Sequence, residues 1–344
     1  ARRFYRLLKA DDRIGMIVSK KGHTYEGAEI ERVARWFNRW LGRSGPVMPW
    51  KEMDRSSIPS ENECRVVKSG SIYGEGGPQP RTIFVAHLRS RAKTGPQKRA
   101  RIAQLVEAVR PLKNARVRWE ELDGYRVGAL EGKRIIFSPE RKLMLPAEIL
   151  IPPKPRGVMI LLDEVGRMTQ LEWAIQAAHA GYVTVYPDLR WWGETSAAES
   201  WEDWENWVQN VYAGRRAQTF WAPQLVGRHL ILDRVKDVVA LLNVVKQMGF
   251  SEKPNVWGRR GGALVGLWAG IADRRIARVF LEDLPCSYLD IVKRDQPVGW
   301  MDHLFFGLLR EGLDLPDLVR FMGAGKVKVK PPAVWPSLLS RNPP

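Results

Sequence analysis

From residue 157 onward the chain alternates short apolar runs with stretches of helical period, and this alternation leaves few architectures open. "GVMILLD" (157–163) is apolar almost throughout, the pattern of a strand covered on both faces. A helix over 168–180, the strand "YVTVYPD" (182–188) and helices near 199–212 and 228–248 follow. Then come the strand "NVWG" (255–258), a helix from 261, the strand "ARVFLED" (277–283), a helical region to about 322 and the strand "KVKVKPP" (326–332). Parallel strands need crossover connections, and the intervening helices supply them. The expected fold is α/β, with a doubly wound, mostly parallel sheet.

The first half is patterned differently. A short helix over 2–9 precedes a strand, "RIGMIVS" (13–19), the loop "GHTY" (22–25) and an amphipathic helix over 27–41. That helix carries Ile30, Val33, Ala34, Phe37 and Leu41 on one face and is ended by Gly42, Gly45, Pro46 and Pro49. Residues 43–80 have linker composition, with one strand expected at 63–68. A basic helix over 97–110 leads to four short strands at 115–121, 124–130, 133–138 and 143–151, with Asp123-Gly124 as a hairpin turn. "IPPKPRG" (151–157) is a clear break. The expected organisation is an N-terminal segment 1–45, a strand-containing linker region 46–150 and a core 151–344.

Composition narrows the function classes. With 44% hydrophobic residues and 15 tryptophans among 344 residues, the chain has ample material for a packed core. No run approaches the roughly 18 apolar residues that span a bilayer, and no membrane partner is expected. The start "ARRFYRLLKADDR" has neither an apolar signal core nor an initiator Met, so a signal peptide is expected to have been removed or the chain trimmed. Cys64 and Cys286 form no redox or metal spacing, and the five histidines show no zinc-ligand pairing, so neither metal nor cofactor is expected. The net charge of +17 favours anionic partners such as nucleic acid or acidic glycans. Because Lys and Arg are spread without a block of like charge, a generally basic surface explains it better.

One short stretch has the layout of a reactive site. In "NVWGRRGGALVGLWAG" (255–270), Gly258 and Gly262 bracket a strand-to-helix turn of the kind that carries Gly-x-Ser-x-Gly, with Arg260 where the serine would stand. Arginine stays protonated and is no nucleophile. With Arg259 beside it, it offers positive charge at a helix N-terminus, where anions are favoured. Asp188, Arg190 and Trp192 follow a buried strand and are placed to face a strand-end crevice, or else to pin their loop through an Asp188–Arg190 pair. Glu164 in "LLDEVGR" lies where backbone oxyanion donors would be needed, and its charge would repel an oxyanion. His23 follows a strand end, the usual setting of a triad base.

Taken together, "ILLDEVGR", "GYVTVYPDLRWWGET", "VGRHLILDRVKDVVALLNVVK" and "VWGRRGGALVGLWAGIADRRIARVFLEDLPCSY" resemble the α/β-hydrolase superfamily, and within it the acetyl xylan esterase-like hydrolases. The similarity runs from about 157 to 332. Residues 11–41 resemble the carboxy-terminal end of such a unit, so the resemblance implies a chain that begins within one hydrolase unit and stops before the end of the next. It implies that His23 matches the catalytic histidine and that Arg260 holds the nucleophile position. The acid is expected after 326–332, where none is found, so Asp283 is the fallback. A displaced nucleophile would be Ser287 or Cys286. The implied function is a carbohydrate esterase relative that has lost its serine and binds or scaffolds an acidic or acylated polysaccharide. The alternatives are a working esterase and a basic protein binding nucleic acid or acidic glycan. A secreted or periplasmic setting, and an adjoining hydrolase domain or a homo-oligomer as partner, follow from the same resemblance.

The apolar side chains of 13–19 and 27–41 are expected to be buried, and the last strand of the core lacks an expected neighbour. Residues 13–19 are therefore expected to pair beside 326–330, in the same chain or a partner, bringing His23 to the 258–262 turn. The alternative is that 1–41 packs on a neighbouring domain.

Overall fold

The computed structural model describes residues 2–18, 27–42, 45–47, 49, 59–90, 94–112, 115–196, 215–294 and 304–330, which fall into two compact units, Ala1–Pro78 and Gln79–Pro344. The first unit holds the helices α1 (Arg2–Leu7), α2 (Gly27–Trp40) and α3 (Glu61–Cys64). Two expectations fail here. Residues 14–18 form no strand, and the strand expected at 63–68 is replaced by α3, which Ser60 and Glu63 close with a reciprocal capping box. Trp36 lies against Gly15, and the Arg13 guanidinium sits 5.4 Å from the Trp40 ring, so α2 packs on the segment before it. The expected burial is not reached: Met16 is 72% exposed and Leu41 68%.

Among the described residues the second unit has eight strands: β1 (Arg118–Val127), β2 (Leu130–Glu140), β3 (Leu143–Ile151), β4 (Val158–Asp163), β5 (Val183–Pro187), β6 (Asn255–Arg259), β7 (Val279–Glu282) and β8 (Val327–Lys330). They form one sheet in the order β1-β2-β3-β5-β4-β6-β7-β8. β1, β2, β3 and β5 pair antiparallel in succession, and β5, β4, β6, β7 and β8 pair parallel. The four strands expected before residue 151 are three, because Asp123-Gly124 lies inside β1 at an irregularity in register. The hairpin turn is Gly128-Ala129 instead, where Gly128 takes a φ of 59°. These strands extend the same sheet as the core strands. β8 pairs with β7 among the described residues, and the strand expected at 13–19 to lie beside it is not formed over 14–18.

The helices of this unit are α4 (Pro80–Ser90), α5 (Gly95–Val106), α6 (Leu171–His179), α7 (Arg215–Leu225), α8 (Leu230–Gln247), α9 (Gly261–Ala272), α10 (Tyr288–Arg294) and α11 (Leu315–Met322). α8 and α9 cover one face of the sheet, where Val235, Val239, Leu264 and Trp268 meet Val185, Ile160 and Val256 in the main core. α6 covers the other face with Trp173 and Ala174 on Leu161 and Tyr186. Each such side chain contributes roughly 1.5–3 kcal/mol when taken from water. The chain leaves β4 through α6 to β5 on one side, and β6 lies on the other. The crevice of a doubly wound sheet opens at this switch point, beyond the carboxyl ends of β4 and β6.

Candidate active site

Two glycines make the turn at the switch point possible. A side chain at Gly258 would place its Cβ 2.2 Å from the Gly262 carbonyl oxygen, and one at Gly262 would lie 2.0 Å from that of Leu162. α9 therefore starts in backbone contact with β4 and β6. The chain reverses at Arg260, whose φ of 52° and ψ of −119° lie in a region costing a non-glycine residue about 1–3 kcal/mol. Strain of this kind holds only where surrounding bonds fix it. The Arg260 amide donates to the Glu282 carbonyl at 2.9 Å.

The side chain is fixed equally firmly. Arg260 Nη2 donates to both oxygens of Asp163, at 2.7 and 2.9 Å, and its Nε lies 3.4 Å from Glu164 Oε1. The other oxygen of Glu164 accepts a hydrogen bond from the Gly261 amide, the first free N–H of α9. Glu164 thus caps a helix that has no cap of its own. Burial raises the pKa of Asp163, against the pull of Arg260. Burial also works against the charge of Arg260, and Glu164 and Asp163 more than offset it. Arg259 points elsewhere: it bonds Glu282 at 2.8 Å, with its guanidinium 4.0 Å from the centre of the Trp173 ring. Asp283, with a φ of 57°, adds a further negative charge that acts on Arg260.

The loop after β5 is organised from within. Asp188 is fully buried and accepts from the backbone amides of Arg167 (2.6 Å) and Glu194 (3.1 Å). Gly166 and Gly193 abut so closely that a Cβ on either would collide with the other loop or with Asp188. Arg190 does not pair with Asp188. It is buried against Asp237, with its Nη2 at 2.5 Å and Nε at 2.9 Å, and reaches Glu140 at 2.9 Å. Trp192 is buried beneath the Arg234 guanidinium at 4.4 Å. None of the three is presented to the crevice as an exposed group.

Ser287 serves as a helix cap. Its hydroxyl donates to Asp314 Oδ2 at 2.6 Å and accepts from the Asp290 amide at 3.1 Å, and Asp314 also accepts from the Tyr288 amide at 2.8 Å. No histidine bonds the hydroxyl among the described residues, and neighbouring Cys286 is an exposed free thiol. His23 lies outside the described residues. His229 stacks on Phe305 at 4.6 Å, and burial lowers its pKa. Among the described residues no three His, Cys, Asp or Glu side chains converge as a metal site requires, and no helix is long and apolar enough to cross a membrane.

Asp163, Asp237 and Asp314 hold these sites together, and none stood out in the sequence. Their signal was an acidic residue at the end of a buried strand, inside a buried helix, or just before a helix.

Neither a protein-family model nor a curated protein matches the chain. Solved structures do. A protein assigned as an acetyl xylan esterase from Bacteroides fragilis is 15% identical, with 74% of this chain and 76% of that one covered at a TM-score of 0.55. A methylesterase is 14% identical, with 68% and 50% covered at 0.46. An acetyl xylan esterase from Thermoanaerobacterium is 16% identical, with 56% and 58% covered at 0.38. The chain thus spans only about half of the last two. The first, with the strand order above, shows an esterase-like α/β-hydrolase fold.

Proposed function

We propose that this chain is a non-hydrolytic relative of carbohydrate esterases whose role is to bind or scaffold an acylated polysaccharide. One observation carries the reading: a strained strand-to-helix turn holds an arginine locked to Asp163, while the Glu164 carboxylate occupies the Gly261 amide. Acyl transfer at such a turn needs a nucleophile and a free amide donor for the developing oxyanion. Arg260 cannot attack, and a fixed carboxylate on the amide repels negative charge where it would form. The polysaccharide, and the acetyl or methyl groups on it, come by analogy from the esterases of similar fold. Asp163, Glu164 and Asp283 outnumber Arg260 at the turn, which favours a neutral acylated ligand over an acidic one. In this reading Ser287 caps a helix and takes no part in chemistry.

Turnover of p-nitrophenyl acetate, with a covalent serine-hydrolase probe alongside, tests the first half. The expected result is no turnover above the buffer rate and no labelling. Robust turnover abolished by Ser287→Ala would overturn the reading. Retention on acetylated but not on deacetylated xylan tests the second half.

A further inference from the structure

The excess positive charge is not evenly placed along the chain. Residues 79–118 hold 11 Lys and Arg against one acidic residue, Glu107, whereas 119–344 hold 29 against 27. Six of the eleven fall in 89–101, "RSRAKTGPQKRAR", where there is no acidic residue. This stretch runs from the end of α4 into α5, so it spans at most about 30 Å. α5 packs on α9 and α11 and buries Ile102 in the main core, which fixes how the stretch is presented. Lys98 bonds Asp317 at 2.9 Å, and Arg320, 73% exposed, bonds the same carboxylate at 2.5 Å. Arg101 bonds Glu311 at 2.9 Å, next in sequence to exposed Arg310. Asp314, the remaining acid of 309–320, accepts from Ser287 and from the amides of Tyr288 and Leu315. All three acids of 309–320 are thus engaged, while Arg99 and Arg310 are exposed with no acidic partner among the described residues.

We infer that α5 and the adjoining edge of α11 form a binding surface for an acidic polysaccharide, a chain whose sugars carry carboxylates. One exposed ion pair is worth little against solvent and salt, so only a chain that engages several of these cations at once is held. Eight of the eleven bases in 79–118 are arginines, whose planar fork matches a carboxylate with two hydrogen bonds. The rest of the surface suits hydroxyl groups. Gln97, Arg99, Ala100 and Gln104 are exposed on α5 and offer charge and hydrogen bonds, with no large apolar side chain to sink into a bilayer. Residues 85–118 contain no Phe, Tyr or Trp on which the bases of a single strand could stack. A duplex is read by an element that enters its groove, and α5 instead lies against α9 and α11. The surface shares no residue with the turn at Arg260 and does not depend on how that turn is read.

The test is titration of the full chain with alginate, a polyuronate, and with its propylene glycol ester, the same chain with its carboxylates blocked. Alginate should bind saturably, about tenfold or more tightly than the ester, and more weakly as salt rises. Arg99→Glu and Arg310→Glu together should weaken it about tenfold. Arg126→Glu, the same charge change at an exposed position on β1, should alter it by less than about twofold. Unfolding midpoints of the variants guard against loss of the fold. Equal binding of the ester would overturn the inference, as would indifference to the double substitution or an equal response to Arg126→Glu. Duplex DNA and anionic vesicles, the latter favoured by exposed Ile83 and Phe84 on α4, are titrated alongside. Tighter binding of either, with the same dependence on Arg99 and Arg310, would assign the surface to another occupant and sink it.

Discussion

The starts of α9 and α10 solve the same problem in different ways. Each helix begins after a parallel strand, and each has its first amides capped by a carboxylate from elsewhere: Glu164 for α9, Asp314 for α10. At α9 the backbone is wound left-handed at Arg260, glycines let the helix touch the sheet, and the side chain is locked in an ion cluster. At α10 a serine is present but works as an ordinary cap. One region is a strained strand-to-helix turn that carries an arginine, and the other is an ordinary helix start that carries a serine.

The sharpest way to break the comparison is through the glycines. Gly262→Ala should cost about 3 kcal/mol or more in a denaturant titration, since its Cβ meets immovable backbone. Gly266→Ala, 3.2 Å from a valine methyl, should cost under about 1 kcal/mol. A small loss at Gly262 would mean α9 is free to shift, and the turn would not be fixed.

The two caps should differ next. Asp314→Ala removes the acceptor for Ser287 Oγ and for the amides of Tyr288 and Leu315, and should destabilise by about 2 kcal/mol. Glu164→Ala leaves Arg260 paired with Asp163 and should cost about 1 kcal/mol in the same assay. Equal losses would make Glu164 as integral to α9 as Asp314 is to α10.

The smallest effect is in the acid response. Asp317, which accepts from the Asp314 amide, has burial working against its charge, but hydrogen bonds from Lys98 and Arg320 lower its pKa below 3.8. Its stabilisation is present above that unfolded value and is lost as pH falls through the folded one. Asp163 is raised, so its contribution is complete below 3.8 and is lost as pH rises through its folded value. Unfolding titrations below about pH 4 should therefore be flattened by Asp317→Asn, by about 1 kcal/mol, and unchanged in slope by Asp163→Asn.

Period and steric necessity made much of this readable. The strands β4 to β7 appear where expected, because a strand buried on both faces has no alternative to being apolar, while the helix expected near 199–212 lies outside the described residues. The turn at 258–262 was legible because only glycine tolerates such backbone contact. Asp123-Gly124 misled, since a turn-forming pair also suits an irregularity within a strand. The segment 13–19 misled too, since an apolar alternating run becomes a strand only where a sheet edge accepts it, and 14–18 form none.

The sequence by itself determined the order of strands after residue 157 and the backbone of the central turn, because both follow from local pattern and from the size of a side chain. Only the tertiary structure decided what the charges do. Asp163 meets Arg260, and Glu164 the Gly261 amide, across 97 residues of chain, Arg190 meets Asp237 across 47, and Asp314 reaches back 27 to Ser287. These carboxylates follow no period and find their partners far along the chain. Their role is set by whichever cation or amide the fold brings within about 3 Å, in surroundings too dry to leave them alone.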